Sequence, residues 1–221
     1  HGLESDLLRL YHALAPTAPY QPDNLGAARR RLRNLCLGYL NELDSPEYRT
    51  LARQQFDATD NMTDQFAALA VLANATGEEG DRALADFYAR WQGEALVVDK
   101  WLAVQSSSRL PGTLARVESL TQHAAFDIRN PNKVYALLRT FGANHRHFHA
   151  ADGTGYRFVA EQIVRLDPIN PQVASRLARS FDRWRRFESE RQRHSRAALE
   201  SVRNQPGLSR DVFEVVDKAL S

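Results

Sequence analysis

Apolar residues recur at every third or fourth position along almost the whole chain, and the rhythm breaks at Thr76-Gly77, Gly93, Pro111-Gly112, Asn130-Pro131, Asp152-Gly153, Asn170-Pro171 and Pro206-Gly207. That period is the mark of a helix with one apolar face, and stop or start signals every ~12 to 20 residues cut the chain into short helices. No segment alternates apolar and polar residues as a half-buried strand would. Short helices in succession predict antiparallel pairs stacked one on the next, an all-α right-handed superhelix of the armadillo or HEAT kind, although no strict repeat is visible. No Pro- or Gly-rich linker interrupts the sequence, so residues 1–221 are expected to form a single helical-repeat unit.

Particular stripes make the expectation concrete. Leu25, Ala28, Leu32, Leu35, Tyr39 and Leu43 step by three or four and predict the buried face of an amphipathic helix, with Arg29, Arg30, Arg31 and Arg33 turned away. Pro22 and Asp23 suit its first turn, and Asp44-Ser45-Pro46 ends it and caps the next. Further stripes are Phe66, Leu69, Ala70, Ala73; Leu84, Phe87, Tyr88, Trp91; and Val97, Val98, Trp101, Leu102. Trp91, Trp101 and Trp184 lie on such stripes and are expected in the core. The opening residues Leu3, Leu7 and Leu10 are expected to be short of packing partners and to expose apolar surface.

Composition removes several classes of function. No apolar run approaches the ~20 residues a membrane helix needs, and the N-terminus lacks the basic and apolar regions of a signal peptide. The single cysteine, Cys36, permits no intrachain disulfide, and with Leu35, Leu37 and Tyr39 around it reads as a buried small hydrophobe. A cytoplasmic setting follows as the expectation. The net charge of +2 is too small to point to nucleic acid. Nine arginines stand against four acids between Arg176 and Arg203, but the acids interrupt the run, so an ion-paired, solvated face is expected there.

Five short runs carry a family resemblance: Asp60-Asn61-Met62-Thr63-Asp64, Val97-Val98-Asp99-Lys100-Trp101, Asn130-Pro131-Asn132-Lys133, Phe148-His149-Ala150-Ala151-Asp152-Gly153-Thr154-Gly155-Tyr156 and Asn170-Pro171-Gln172-Val173-Ala174-Ser175-Arg176-Leu177. In order and spacing they resemble the C-terminal helical domain of the bacterial zinc aminopeptidases of the aminopeptidase N type, over residues 3–221. The resemblance implies the same superhelical architecture. It also implies a parent polypeptide that removes N-terminal residues from peptides with a zinc ion held in its catalytic domain, the natural partner of this segment.

The catalytic half is not in this sequence. None of the seven histidines is followed by Glu, so there is no His-Glu-x-x-His helix, and the Gly-x-Met-Glu-Asn run that holds the substrate amine is missing. No catalytic residue and no metal ligand is expected here. His145, His147 and His149 would share a face only in an extended segment, without a nearby Cys or carboxylate to complete a site. Asp152-Gly153-Thr154-Gly155 lacks the Lys and the preceding strand of a phosphate loop and reads as a tight turn. Ser106, Ser107 and Ser108 have no nucleophile-elbow setting.

Asn170, Gln172 and Arg176 remain. Asn170 as cap and Pro171 at the first position fix a helix start, and Gln172 and Arg176, four apart, project from one face of the first turns. By the resemblance, Gln172 and Arg176 would line the wall of the cavity that admits peptide substrates, and this domain would cap the chamber and govern access. On periodicity alone, a stand-alone helical scaffold binding a protein or peptide remains open.

Overall fold

A computed structural model describes residues 2–221, and among them there is no strand. Packing groups the chain into two compact units, His1–Arg90 and Trp91–Ser221.

The first unit contains α1 (Glu4–Ala13), α2 (Asn24–Asn41), α3 (Pro46–Ala58), α4 (Met62–Leu72) and all but the last residue of α5 (Glu78–Trp91). The starts follow the predicted chemistry. Asp23 accepts from the Gly26 amide, Ser45 from Glu47 with Pro46 at the first position, and Asn61 from Asp64. α2 is the helix expected, but its buried face is not. Cys36, Leu37 and Leu40 are buried, while Leu25, Leu32, Leu35 and Tyr39 are 71%, 42%, 53% and 59% exposed. The two apolar stripes lie side by side on this helix, which packs on α1, α4 and α3, and only one of them enters the core. Tyr11, Ala52, Phe56, Ala68, Leu69, Leu72 and Phe87 complete that core.

A buried polar network ties four of these helices together. Asn34 Nδ2 donates to Asp64 Oδ1 at 2.8 Å, Gln55 Nε2 to Asn34 Oδ1 at 2.7 Å, and Tyr11 Oη to Gln55 Oε1 at 3.0 Å. Arg33, expected on the solvent side, lies over the Tyr11 ring at 4.4 Å and donates to its hydroxyl at 3.0 Å. The Asp60-Asn61-Met62-Thr63-Asp64 run is therefore structural: Asn61 caps α4, Asp64 joins the network, and Asp60 accepts from the Tyr20 amide at 2.8 Å. At the N-terminal end, Leu3 is exposed and Leu7 and Leu10 are half-buried.

The second unit contains α6 (Ala95–Ser106), α7 (Thr113–Leu120), a helix that starts as α8 (Pro131–Val134), widens into a π turn (Tyr135–Arg139) and resumes as α9 (Thr140–Gly142), then α10 (His145–Phe148), α11 (Thr154–Leu166), α12 (Pro171–Ala178), two 3-10 turns (Arg179–Phe181 and Trp184–Arg186), α13 (Ser189–Arg203) and α14 (Arg210–Leu220). In the π turn the Thr140 amide reaches back five residues to the Tyr135 carbonyl, which also accepts from Thr140 Oγ1 at 3.2 Å. α6 packs on this wide turn, α11 on α12 and α13, and α12 on α14.

Trp101 and Trp184 are buried as expected and Trp91 half-buried. Trp184 Nε1 and the Arg185 guanidinium donate to the carbonyls of Ala219 and Leu220, closing the open end of α14. Buried Asp167 accepts from the Ser209 amide at 2.8 Å and from its hydroxyl, fastening the end of α11 to the start of α14. The serine run is structural too: Ser106 Oγ donates to the Leu102 carbonyl, and buried Asn144 donates to the carbonyls of Ser106 and Ser108. The arginine-rich α13 is ion-paired, Arg191 with Glu188, Arg193 with Glu190, Arg196 with Glu200 and Arg203 with Asp217.

Candidate functional site

Asn170 begins α12 with its side-chain oxygen accepting from the Val173 amide at 3.1 Å, and Pro171 follows at the first position. Val173, Ala174 and Leu177 are driven into the core, which forces Gln172 and Arg176 outward. Gln172 and Arg176 are thus brought to one exposed face as expected, whereas the acceptor of Asn170 is occupied by the cap. Arg176 Nη1 donates to Tyr135 Oη at 3.0 Å. Tyr135 is the first residue of the π turn and half-buried, so the guanidinium is steadied by a hydroxyl from another helix and keeps its other donors for a ligand.

Two more arginines share this surface and were not singled out in the sequence. Arg139, four residues after Tyr135, lies with its guanidinium 5.6 Å from the Tyr135 ring centre. Arg179 follows Arg176 by three residues. Arg139, Arg176 and Arg179 border one recess of about 430 Å³ with Gly142, Ala143 and Ser180. The i, i+4 and i, i+3 spacings were visible in the chain, but the helix that pairs them across forty residues was not.

The histidine series has a different role. Residues 145–148 form a helical turn, so the alternation of an extended segment does not apply. His149 is buried, stacks on Phe187 with ring centres 3.8 Å apart and shares a 2.7 Å hydrogen bond between Nδ1 and Tyr156 Oη. Burial, then the charges of His145 and Arg191, hold its imidazole down to about 4, and burial pushes the Tyr156 hydroxyl up to about 12. Arg191 Nε donates to the His149 carbonyl at 2.6 Å. Phe148 packs edge-on against Tyr156 and Phe181, each 5.1 Å away between ring centres. Gly153, at φ +72°, makes the turn into α11, and Asp152 accepts from the Thr154 amide and hydroxyl. This loop is a core hub, and among the described residues no group of three or more His, Cys, Asp or Glu side chains could hold a metal ion.

A family described as a domain of unknown function, DUF3458_C, built of ARM repeats, matches residues 1–221, in accord with the all-α helical-repeat class expected from the sequence. The chain is 38% identical over 221 residues to aminopeptidase N of Haemophilus influenzae, 37% over 220 residues to aminopeptidase N of Escherichia coli and 39% over 219 residues to aminopeptidase N of Caulobacter vibrioides. These matches cover 99%, 99% and 97% of this chain but 25% of each relative, so the chain spans about a quarter of the length of the curated relatives it matches. Among solved structures, the crystal structure of Legionella pneumophila aminopeptidase A in complex with aspartic acid is similar at a TM-score of 0.90 and 34% identity, over 99% of this chain and 27% of that one.

Proposed function

The chain belongs to the DUF3458_C family of ARM-repeat domains, and from that premise we propose that it is the C-terminal helical domain of a zinc-dependent aminopeptidase, capping the active-site chamber and governing which peptides enter. The relatives that match over a quarter of their length support the first part, since they leave room for a catalytic region in the same polypeptide. The exposed stripe of Leu25, Leu32, Leu35 and Tyr39 supports it as well, because apolar surface of that kind gains by being covered.

The observation that carries the access role is the outward pair Gln172 and Arg176, with Arg176 steadied by Tyr135. A guanidinium held in one orientation presents paired donors to a peptide carbonyl or carboxylate at a lower entropic cost. Gln172 adds a donor and an acceptor on the same face. On this reading the zinc ligands, the base and the amine-binding carboxylate belong to the remainder of the polypeptide. This chain contributes shape and binding. The reading includes a cytoplasmic setting, supported by a lone buried cysteine, and no helix among the described residues is long and apolar enough to cross a membrane.

The test is turnover of a short peptide by a zinc-bearing N-terminal fragment, with and without this chain in excess. Saturable restoration of activity supports the reading. No effect, with both pieces shown to be folded, puts a stand-alone peptide-binding scaffold in its place. In the intact enzyme, Arg176→Ala is expected to raise KM for peptides more than for single aminoacyl amides.

A further inference from the structure

We propose that the recess bordered by Arg139, Arg176 and Arg179 is a carboxylate-binding site, taking the C-terminal or side-chain carboxylate of a peptide. Three arginines line it and no carboxylate does. Two of them meet neutral partners: Arg176 the Tyr135 hydroxyl, and Arg139 the Tyr135 ring. The contrast is with α13, where four arginines each hold a carboxylate within 2.8 Å. Arg179 also borders a second recess, lined by Asp182, Asp211 and Glu214 together with Arg185 and Lys218, where Glu214 pairs with Arg210. Like charges gathered on one recess with no carboxylate in its lining repel one another, and an arriving anion relieves that repulsion.

The shape fits a small group. At about 430 Å³ the recess falls within the range of small-ligand sites, enough for a terminal residue with its carboxylate. A Cβ on Gly142 would lie 2.3 Å from Ser180 Oγ, so only glycine lets the end of α9 approach this closely and leave the Ser180 hydroxyl among the lining groups. The π turn sets Arg139 beside Tyr135, on the same side as Arg176. Planar guanidiniums match the two oxygens of a carboxylate, which a primary amide cannot imitate.

That the ligand is a peptide rests on the proposed access role; that the recess prefers carboxylates does not. The two fail separately, because the following measurement needs no turnover. Calorimetric titration of the 221-residue chain at low salt would compare tetra-alanine with a free C-terminus, its C-terminal amide, an amidated tetrapeptide with one Glu, and inorganic phosphate. At least one carboxylate peptide is expected to bind tenfold or more tighter than the neutral amide, and which one does so identifies the source of the carboxylate. The Arg139→Gln, Arg179→Gln double variant should abolish that preference. Ala143→Glu, at an exposed position on the rim, should abolish it by supplying a resident carboxylate, with circular dichroism showing that each variant keeps its helix. Equal affinity for charged and neutral peptides, a preference that survives in both variants, or binding of phosphate without any preference among peptides would overturn the proposal.

Discussion

Lys133 Nζ lies 2.7 Å from Asp99 Oδ1 and 3.0 Å from the carbonyl oxygen of Ala95, so one ammonium fastens the helix that carries the π turn to the first turns of α6. Both side chains are mostly withdrawn from water, 11% and 19% exposed. Lys133→Ala strands the carboxylate and is expected to cost roughly 3 kcal/mol in urea denaturation, with Asp99→Asn added on top recovering part of the loss. A cost indistinguishable from that of a surface lysine would show that the pair contributes nothing.

The polar network of the first unit makes a second test. Asp64 is 2% exposed, and its removal leaves the Asn34 amide without its carboxylate acceptor, while Asn61 keeps Thr59 and Asp60. Asp64→Ala should destabilise the fold by about 1 to 3 kcal/mol, since a donor drawn into the network is left unpaired. Gln55→Leu in the same background should add less than its effect alone, a coupling that a double-mutant cycle reads directly.

The two stripes of α2 can be separated by one pair of substitutions. Leu37 is fully buried and Leu32 is not. Leu37→Ala is expected to cost about 2 to 5 kcal/mol and Leu32→Ala within about 0.5 kcal/mol in the isolated chain. Equal costs would return the core to the stripe that begins at Leu25.

His149 gives the stability a pH dependence. Its imidazole protonates at about 4 in the folded chain instead of its ordinary 6.5. Unfolded chains therefore bind more protons than folded ones between those values, so stability is fully present above about pH 6.5 and declines as pH falls toward 4, by up to about 3 kcal/mol. Chemical denaturation at pH 7.5 and 4.5 should show a smaller pH difference in His149→Gln than in the parent. An unchanged difference would assign the acid sensitivity to other groups.

Much of this architecture was legible because its signals are local. Asn130-Pro131, Asn170-Pro171 and Ser45-Pro46 start helices where their side chains cap the following amides. Cys36 was read correctly as buried. The face of α2 was not legible, because Leu25, Leu32, Leu35 and Tyr39 make as good a stripe as Cys36, Leu37 and Leu40, and only packing against α1, α3 and α4 decides between them. The outward pair Gln172 and Arg176 could be read from a single helical turn. Tyr135 and Arg139 could not be added, since the contact between Arg176 and Tyr135 spans 41 positions in the chain.

The π turn at Tyr135–Arg139 holds one residue more than an α turn would need for about the same rotation. Removing one residue there would let the turn tighten into ordinary α-helix while the segment beyond it kept nearly the same face. Phe141 would keep its place in the core, and the change would fall on the turn itself, where Tyr135 and Arg139 stand together. A single-codon deletion here would therefore alter the arginine recess while sparing the packing beyond it, whereas the same deletion in a regular helix would turn every later residue to a new face.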